Sequence, residues 1–251
     1  MTAPTLGLPP EIRACLFDLD GVLTKTAAVH AVAWKAVFDA FLGERAKSDG
    51  ELLVPFDSVR DYDEYVDGKH RNDGVRSFLA SRGIRLEEGT HDDPPELDTV
   101  AGLGNRKNKL VLTMFHDRGV DAYEGSIRYV NAVLEAGLRC AVVSASENCA
   151  EFLAAAGIAD LFELRVDGVV AERDHLRGKP APDTYLAAAE RLGVQPSEAA
   201  VFEDALAGVG AGRAGGFRFV VGVDRVGQAD ALREHGADVV VQDLAELLGQ
   251  P

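Results

Sequence analysis

The chain has 251 residues, the upper end of what one hydrophobic core serves, so we expect one domain and a smaller second one. Hydrophobic residues make up 47% and charged residues 27%, as in an ordinary globular enzyme. The formal net charge of −15 argues against nucleic acid and anionic membranes as partners, because such a surface repels polyanions. A phosphorylated substrate therefore requires a locally basic pocket.

The amino-terminal residues and the cysteines indicate a cytoplasmic protein. No basic start precedes an apolar stretch, and no apolar run approaches the roughly 20 residues that span a bilayer. The three cysteines, Cys15, Cys140 and Cys149, lack the Cys-x-x-Cys spacing of metal sites. Cys15 and Cys140 lie in apolar runs, where we expect small core residues. A reducing compartment fits these features best.

Six short apolar runs alternate with helical patterns along most of the chain. Within each run apolar and polar residues do not alternate, which is typical of strands buried on both faces of a parallel sheet. The predicted strands are 14–17, 138–143, 162–166, 199–202, 217–221 and 237–241. The predicted helices are 125–136, 148–156, 182–192, 205–214 and 228–235. This alternation predicts a doubly wound parallel α/β sheet.

The segment between the first two predicted strands has helical patterns and no strand pattern. The apolar residues that follow the i, i+3, i+4 rule of its first helix are Val29, Val32, Ala33, Val37, Ala40 and Phe41. Residues 72–80 and 106–118 also look helical, whereas 47–63 and 87–98 are polar and predict surface loops. We interpret 29–119 as a helical cap domain inserted after the first strand, and 11–28 with 120–251 as the core domain.

Polar residues follow four of the predicted strands. They are Asp18 and Asp20 after the first, Ser144, Ala145 and Ser146 after the second, Lys179 after the third, and Glu203 and Asp204 at the end of the fourth. In an open α/β sheet, ligands bind beyond the carboxyl ends of the strands, so we expect these groups to converge. Carboxylates, a hydroxyl and an ammonium at one place favour magnesium-dependent phosphoryl transfer.

Individual roles follow from the residue types. Asp18 and Asp204 can bind Mg²⁺, and Glu203 can support the ion through water. Lys179 supplies a fixed positive charge, and Ser144 can donate a hydrogen bond to a transferring oxygen.

Each motif alone also has an ordinary interpretation. The Asp-x-Asp-Gly sequence at Asp18 and Asp20 occurs in solvated turns, and Ser144 could cap a helix. Lys179 could be a solvated loop charge. All of these interpretations would have to hold at four consecutive strand ends, so we prefer the functional one, in which Asp20 serves as general acid and base.

The ordered motifs FDLDGVL, VVSAS, GKPAPD and VFEDALAG resemble the haloacid dehalogenase superfamily of phosphatases and phosphomutases. The resemblance extends from Arg13 to Leu248. Finer segments, such as DGVLTKTAAVHAVAWK and SASEN, are similar to the β-phosphoglucomutase-like subfamily. The resemblance implies a Rossmann-like parallel-sheet core with an inserted small helical cap, Mg²⁺ as cofactor and a small phosphorylated sugar as substrate.

The resemblance also implies residue roles. Asp18 is the phosphorylated nucleophile and Asp20 the acid and base. Magnesium is bound by Asp18, the main-chain carbonyl of Asp20, and Asp204, with Glu203 nearby. The residues implied for the transferring phosphate are Ser144, Ala145 and Lys179. The residues implied for the rest of the substrate are Thr26, His30, Gly68, Arg71, Lys107, Ser146 and Asn148.

Two residues depart from the subfamily pattern, because Asp67 and Glu147 stand where a lysine is expected. Glu147 either lies in solvent at a helix start or lies beside a distal phosphate, where Lys69 or Arg71 could pair with it. The expected reaction interconverts β-glucose 1-phosphate and glucose 6-phosphate through a sugar bisphosphate. The alternative is a hydrolase acting on a sugar phosphate or phosphoglycolate. A dehalogenase is disfavoured because that reaction has no leaving-group oxygen for Asp20 to protonate. A non-catalytic phosphosugar-binding module is disfavoured by the complete set of catalytic residues.

Overall fold

The computed structural model describes residues 5–49 and 54–249. Among these residues the strands are β1 (Ala14–Phe17), β2 (Arg139–Val143), β3 (Leu164–Val166), β4 (Ala199–Glu203), β5 (Phe219–Val223) and β6 (Val239–Val241). They form one sheet in the order β3-β2-β1-β4-β5-β6, and every neighbouring pair is parallel. The predicted parallel α/β fold is confirmed, and each strand overlaps a predicted run.

The helices accompany the strands much as predicted. They are α1 (Ala27–Asp49), α2 (Arg71–Ser81), α3 (Val100–Arg118), α4 (Glu124–Glu135), α5 (Cys149–Ala155), α6 (Gly168–Arg173), α7 (Asp183–Arg191), α8 (Leu206–Ala214) and α9 (Ala229–Glu234). Helix α6 was not predicted, because six residues are too few to show a helical period. No helix in the described part of the chain is long and apolar enough to cross a membrane.

The centre of the sheet is a rigid apolar layer. Strands β1 and β4 are buried along their whole length. The ring of Phe17, the last residue of β1, stacks on Phe202 with centroids 4.4 Å apart. Tyr129 of α4 packs against both rings. Each fully buried aromatic or aliphatic side chain of this kind contributes roughly 1.5–3 kcal/mol. The residues that follow β1 and β4 therefore start from fixed positions.

Helix α1 buries only part of the predicted stripe, namely Ala33, Val37 and Phe41. Val32 is 56% exposed and Ala40 is also exposed, so their assignment to the apolar face was wrong. The buried stripe continues through Trp34 and Phe38, whose rings stack with centroids 4.9 Å apart. Phe38 also packs 4.2 Å from Phe78 of α2. The large aromatic residues set the phase of the helix because they bury more apolar area than a valine or an alanine.

The described residues divide into two compact units, one of 5–25, 68–70 and 120–249, the other of 26–49, 54–67 and 71–119. The cap boundaries at 29 and 119 stay a proposal. Part of the predicted loop 47–63 lies outside the described residues, and a π-helical turn at Tyr62–Val66 begins within it. The three cysteines are free and buried, as expected for Cys15 and Cys140.

Candidate active site

Asp18 lies directly beyond β1 and is 5% exposed. Its amide donates to the carbonyl of Phe202 at 2.9 Å, which continues the ladder with β4. The chain then turns sharply, because the amide of Gly21 donates to the carbonyl of Thr24 at 2.8 Å. Gly21 has φ of +84°, and a Cβ atom there would lie 1.7 Å from a carboxylate oxygen of Asp204. Only glycine fits this position.

Lys179 joins the ends of three strands. Its Nζ donates to Oδ1 of Asp18 and to Oε1 of Glu203, each at 2.5 Å, and to the carbonyl of Val143 at 3.2 Å. These acceptors follow or end β1, β4 and β2. The lysine is 3% exposed, so its charge acts where water is largely excluded.

Glu203 is completely buried, and three hydrogen bonds fix the position of its carboxylate. Oε1 accepts from Lys179 and from the hydroxyl of Tyr185 at 2.9 Å, and Oε2 accepts from the amide of Ala205 at 3.1 Å. Sequence reasoning missed Tyr185, the third residue of α7, because it belongs to no motif. Its apolar neighbours in the sequence indicate a core residue. Only the fold shows that its hydroxyl group contacts Glu203.

Asp18, Glu203 and Asp204 could together hold a metal ion. All three are buried, and each offers a carboxylate oxygen within 4.8 Å of the others. Three carboxylates beside the single ammonium of Lys179 leave an excess of negative charge, which a divalent cation offsets. Hard oxygen donors are the ligands that Mg²⁺ prefers, so the residues present fit this ion.

The charged groups of this cluster shift one another's pKa values. Burial raises the pKa of Asp18 well above its usual range, and Lys179 opposes that shift. For Lys179 burial alone would lower the pKa, but the carboxylates of Asp18 and Glu203 outweigh it and raise the pKa. The two carboxylates therefore favour the charged form of Lys179.

The loop after β2 is shaped by two serines. Ser144 is 1% exposed, and its Oγ accepts from the amide of Ser146 at 3.0 Å. The Oγ of Ser146 in turn accepts from the amide of Asn148 at 3.2 Å. Asn148 precedes α5 as its N-cap residue, so the helix-cap interpretation of Ser144 does not hold. Ser144, Ala145, Ser146 and Asn148 thus lie in one compact loop at the carboxyl end of β2.

Segment 68–70 belongs to the same unit as this loop. Gly68 has φ of +69°, and a Cβ atom there would lie 2.8 Å from the Cβ of Ala205. Nε2 of His70 lies 3.0 Å from Oε1 of Glu147, and the two side chains are 27% and 14% exposed. The solvent interpretation of Glu147 was therefore wrong. The sequence did not indicate His70, since 77 residues separate it from Glu147.

Asp20 lies in the first unit, two residues beyond Asp18, and the other predicted residues lie in the second unit. Thr26 is fully buried just before α1, and Arg71 is the first residue of α2. His30 and Lys107 are buried together, with Nζ of Lys107 2.6 Å from Nδ1 of His30. The same Nζ lies 5.1 Å from the ring centre of Trp34, a favourable cation–π contact.

Comparisons with known proteins agree with the sequence motifs. A family model described as haloacid dehalogenase-like hydrolase matches residues 12–216. The chain is 59% identical to the β-phosphoglucomutase of Mycobacterium bovis over 97% of this chain and 94% of that protein. It is 32% identical to a haloacid dehalogenase family hydrolase of Deinococcus radiodurans, whose crystal structure contains phosphate and sodium, with a TM-score of 0.62 and coverage of 95% and 94%.

The fold itself is shared more widely. The β-phosphoglucomutase of Clostridium difficile matches with a TM-score of 0.73 at 24% identity, covering 94% of this chain and 93% of that one. At this identity the likeness concerns the fold alone. The family match includes Asp18, Lys179 and Asp204, the residues that the sheet brings together or close to one another. The chain therefore belongs to the haloacid dehalogenase-like hydrolase family, in its β-phosphoglucomutase-like group.

Proposed function

We propose that this enzyme transfers phosphoryl groups through a phospho-aspartate at Asp18 and interconverts β-glucose 1-phosphate and glucose 6-phosphate. The observation that carries the proposal is the Lys179 bridge, which holds Asp18 and Glu203 at 2.5 Å each beside Asp204. The identity of 59% to a protein named β-phosphoglucomutase supports this choice of substrate.

In the first half-reaction a carboxylate oxygen of Asp18 attacks the phosphorus of a sugar bisphosphate. The new bond between that oxygen and phosphorus forms as the bond between phosphorus and the sugar oxygen breaks. The departing sugar oxygen takes a proton from the carboxylic acid of Asp20. General acid assistance of this kind contributes roughly 10²–10⁴-fold in rate.

In the second half-reaction the phosphoryl group returns to a sugar monophosphate. Asp20, now a carboxylate, accepts the proton of the attacking sugar hydroxyl as that oxygen bonds to phosphorus and the bond to Asp18 breaks. Phosphorylation of β-glucose 1-phosphate at its 6-hydroxyl gives the bisphosphate. Return of its 1-phosphate to Asp18 then releases glucose 6-phosphate.

Around the transferring group, Lys179 and the hydroxyl of Ser144 are the proposed donors to the phosphoryl oxygens, with the loop at Ala145. Asp18, Asp204 and the main-chain carbonyl of Asp20 are the proposed ligands of Mg²⁺. A bound magnesium ion supplies positive charge that reduces the repulsion between the carboxylate nucleophile and the phosphoryl group. Since the oxygens of Glu203 already accept three hydrogen bonds, we assign it chiefly to holding Lys179.

The second phosphate and the sugar require binding groups of their own. The residues proposed for it are Thr26, His30, Gly68, Arg71, Lys107, Ser146 and Asn148. Buried Lys107 supplies a positive charge suited to an anionic substrate. A phosphorylated sugar in the cytoplasm is the expected partner.

One observation favours a second candidate, a sugar-phosphate or phosphoglycolate phosphatase. The carboxylate of Glu147 is largely buried in the loop after β2, beside Ser146 and Asn148. A negative charge there weakens binding of a distal phosphate, which a mutase needs and a simple phosphatase does not. In the phosphatase, water replaces the sugar hydroxyl as the acceptor of the phosphoryl group.

The phosphoenzyme is tested by mass spectrometry of the intact protein. We expect incubation with glucose 1,6-bisphosphate and Mg²⁺ to add one phosphoryl group, located by peptide mapping to the segment containing Asp18. The variant Asp18→Asn should add none. Phosphorylation of another residue, or none on the unmodified protein, would contradict the proposal.

A further inference from the structure

The loop between β5 and α9 is held in one shape by Asp224. The amide of Asp224 donates to the carbonyl of Val241 at 2.8 Å, which attaches the start of the loop to β6. Its Oδ1 accepts from the amides of Val226, Gly227 and Gln228 at 3.2, 2.6 and 2.8 Å. Three amides on one carboxylate oxygen leave the loop little conformational freedom.

Arg225 extends from this loop to the turn that follows Asp18. Its Nε donates to the carbonyl of Gly21 at 2.8 Å, and its Nη1 donates to the carbonyl of Gln242 at 2.5 Å. The guanidinium lies 3.6 Å from the ring centre of Tyr123, and the side chain is only 15% exposed. A planar guanidinium fixed at several points is a rigid donor, whereas a lysine would not be.

Gln228 extends from the same loop to the other side of the carboxylate cluster. Its Nε2 donates to the main-chain carbonyl of Asp204 at 3.0 Å. Gly21 and Asp204 also lie close together, because a Cβ atom on Gly21 would collide with the carboxylate of Asp204. One loop therefore donates to the backbone of both segments that supply proposed magnesium ligands.

We infer that Arg225 and Gln228 are positioning residues that set the distance between the Asp18–Gly21 turn and Asp204. The inference rests on the proposed function, because it assigns a consequence for Mg²⁺. Neither residue contacts the reacting atoms. Both act through the carbonyls they hold, and loss of such outer contacts typically weakens metal binding 10–100-fold.

Arg213 offers a matched control. Its Nε and Nη2 donate to the carbonyl of Gly236 at 3.1 and 2.7 Å, and Nη2 also contacts Asp238 at 2.9 Å. Like Arg225, it fixes a loop carbonyl with a guanidinium. Gly236 and Asp238 precede β6, however, so they lie at the amino edge of the parallel sheet, opposite the carboxylate cluster.

The test compares Mg²⁺ binding by calorimetry for the unmodified enzyme, Arg225→Ala, Gln228→Ala and Arg213→Ala. We expect Arg225→Ala to raise the Kd for Mg²⁺ at least about tenfold. Gln228→Ala removes a single hydrogen bond and should raise the Kd less, and Arg213→Ala should leave it unchanged. At saturating Mg²⁺, Arg225→Ala should recover most of its kcat, because the nucleophile and Lys179 are intact. A Kd for Arg225→Ala within twofold of that of the unmodified enzyme would overturn the inference.

Hydrogen exchange separates this inference from the proposed function. We expect amides of 18–24 to exchange faster in Arg225→Ala than in Arg213→Ala, even without metal, since Gly21, Leu23 and Thr24 donate within that turn. If the unmodified enzyme binds no Mg²⁺, the proposed function fails and the exchange measurement alone decides the positioning role. Equal exchange rates in the two variants would then overturn it.

Discussion

Two parts of the same unit differ in how deeply their charged side chains are buried. At the ends of β1 and β4, Asp18, Lys179 and Glu203 are almost fully buried, and the ammonium lies between two carboxylates. In the second part, segment 68–70 contacts the loop after β2 through His70 and Glu147, whose side chains are less deeply buried. We propose that the first part fixes the type of chemistry, because its charges are buried and held by short contacts. We propose that the second part influences which substrate binds.

The largest expected effect comes from the first part. Asp18→Asn replaces the nucleophile with an amide and weakens the proposed magnesium site, so turnover should fall at least about 10⁴-fold. Asp61→Asn is a suitable control, because Asp61 is also buried and pairs with Arg82 at 2.5 Å. It should retain activity. Retention of more than a few per cent of turnover in Asp18→Asn would contradict covalent catalysis.

Asp20→Ala should reduce turnover by roughly 10²–10⁴-fold, because general acid and base assistance is lost while the nucleophile remains. Its main-chain carbonyl, the proposed ligand, is unaffected. Calorimetry should therefore give nearly the same Kd for Mg²⁺ as the unmodified enzyme. Loss of Mg²⁺ binding would mean that the Asp20 side chain is itself a ligand.

Arg71→Ala tests the residue that follows segment 68–70. A guanidinium that binds a substrate phosphate in two places contributes strongly, so turnover of a sugar phosphate should fall about 10²-fold. Hydrolysis of p-nitrophenyl phosphate should survive, because this substrate has no second phosphate. The control is Arg76→Ala on the same helix, where Arg76 pairs with Asp73 and Glu88. Equal losses on both substrates would assign Arg71 a structural role.

Glu147→Lys has the smallest expected effect and addresses the second part directly. The substitution replaces repulsion of a nearby phosphate by attraction, so KM for a sugar phosphate should fall about tenfold. Hydrolysis of an aryl phosphate should not change. Glu151→Lys introduces the same charge in the first turn of α5 at an exposed position. If both variants lower KM equally, the effect is one of overall charge.

The sequence predicted the sheet well and local contacts poorly. The strands were found because residues buried on both faces must be apolar, as in Ala14–Phe17. On α1 the assignment of Val32 to the buried face was wrong, since the pattern alone ignores how much more area Trp34 and Phe38 bury.

Sequence spacing could not predict contacts between residues that only the topology of the fold brings together. His70 and Glu147 are 77 residues apart, and Arg225 and Gly21 are 204 residues apart. The predicted strand ends did identify Asp18 and Glu203, because parallel strands deliver their ends to one edge of the sheet. Lys179 was identified in the longer connection after β3, beyond α6. No such rule identifies Tyr185, which lies within a helix. Arg225 does follow β5, but the sequence does not show that it contacts the turn after β1.

The central claim, transfer to a sugar and not to water, is tested most directly by phosphorus nuclear magnetic resonance. The enzyme is mixed with β-glucose 1-phosphate, Mg²⁺ and a trace of glucose 1,6-bisphosphate, and the products are followed over time. We predict that the signal of glucose 6-phosphate grows as the substrate signal declines, with little inorganic phosphate. Accumulation of inorganic phosphate without glucose 6-phosphate would contradict the mutase and establish a phosphatase.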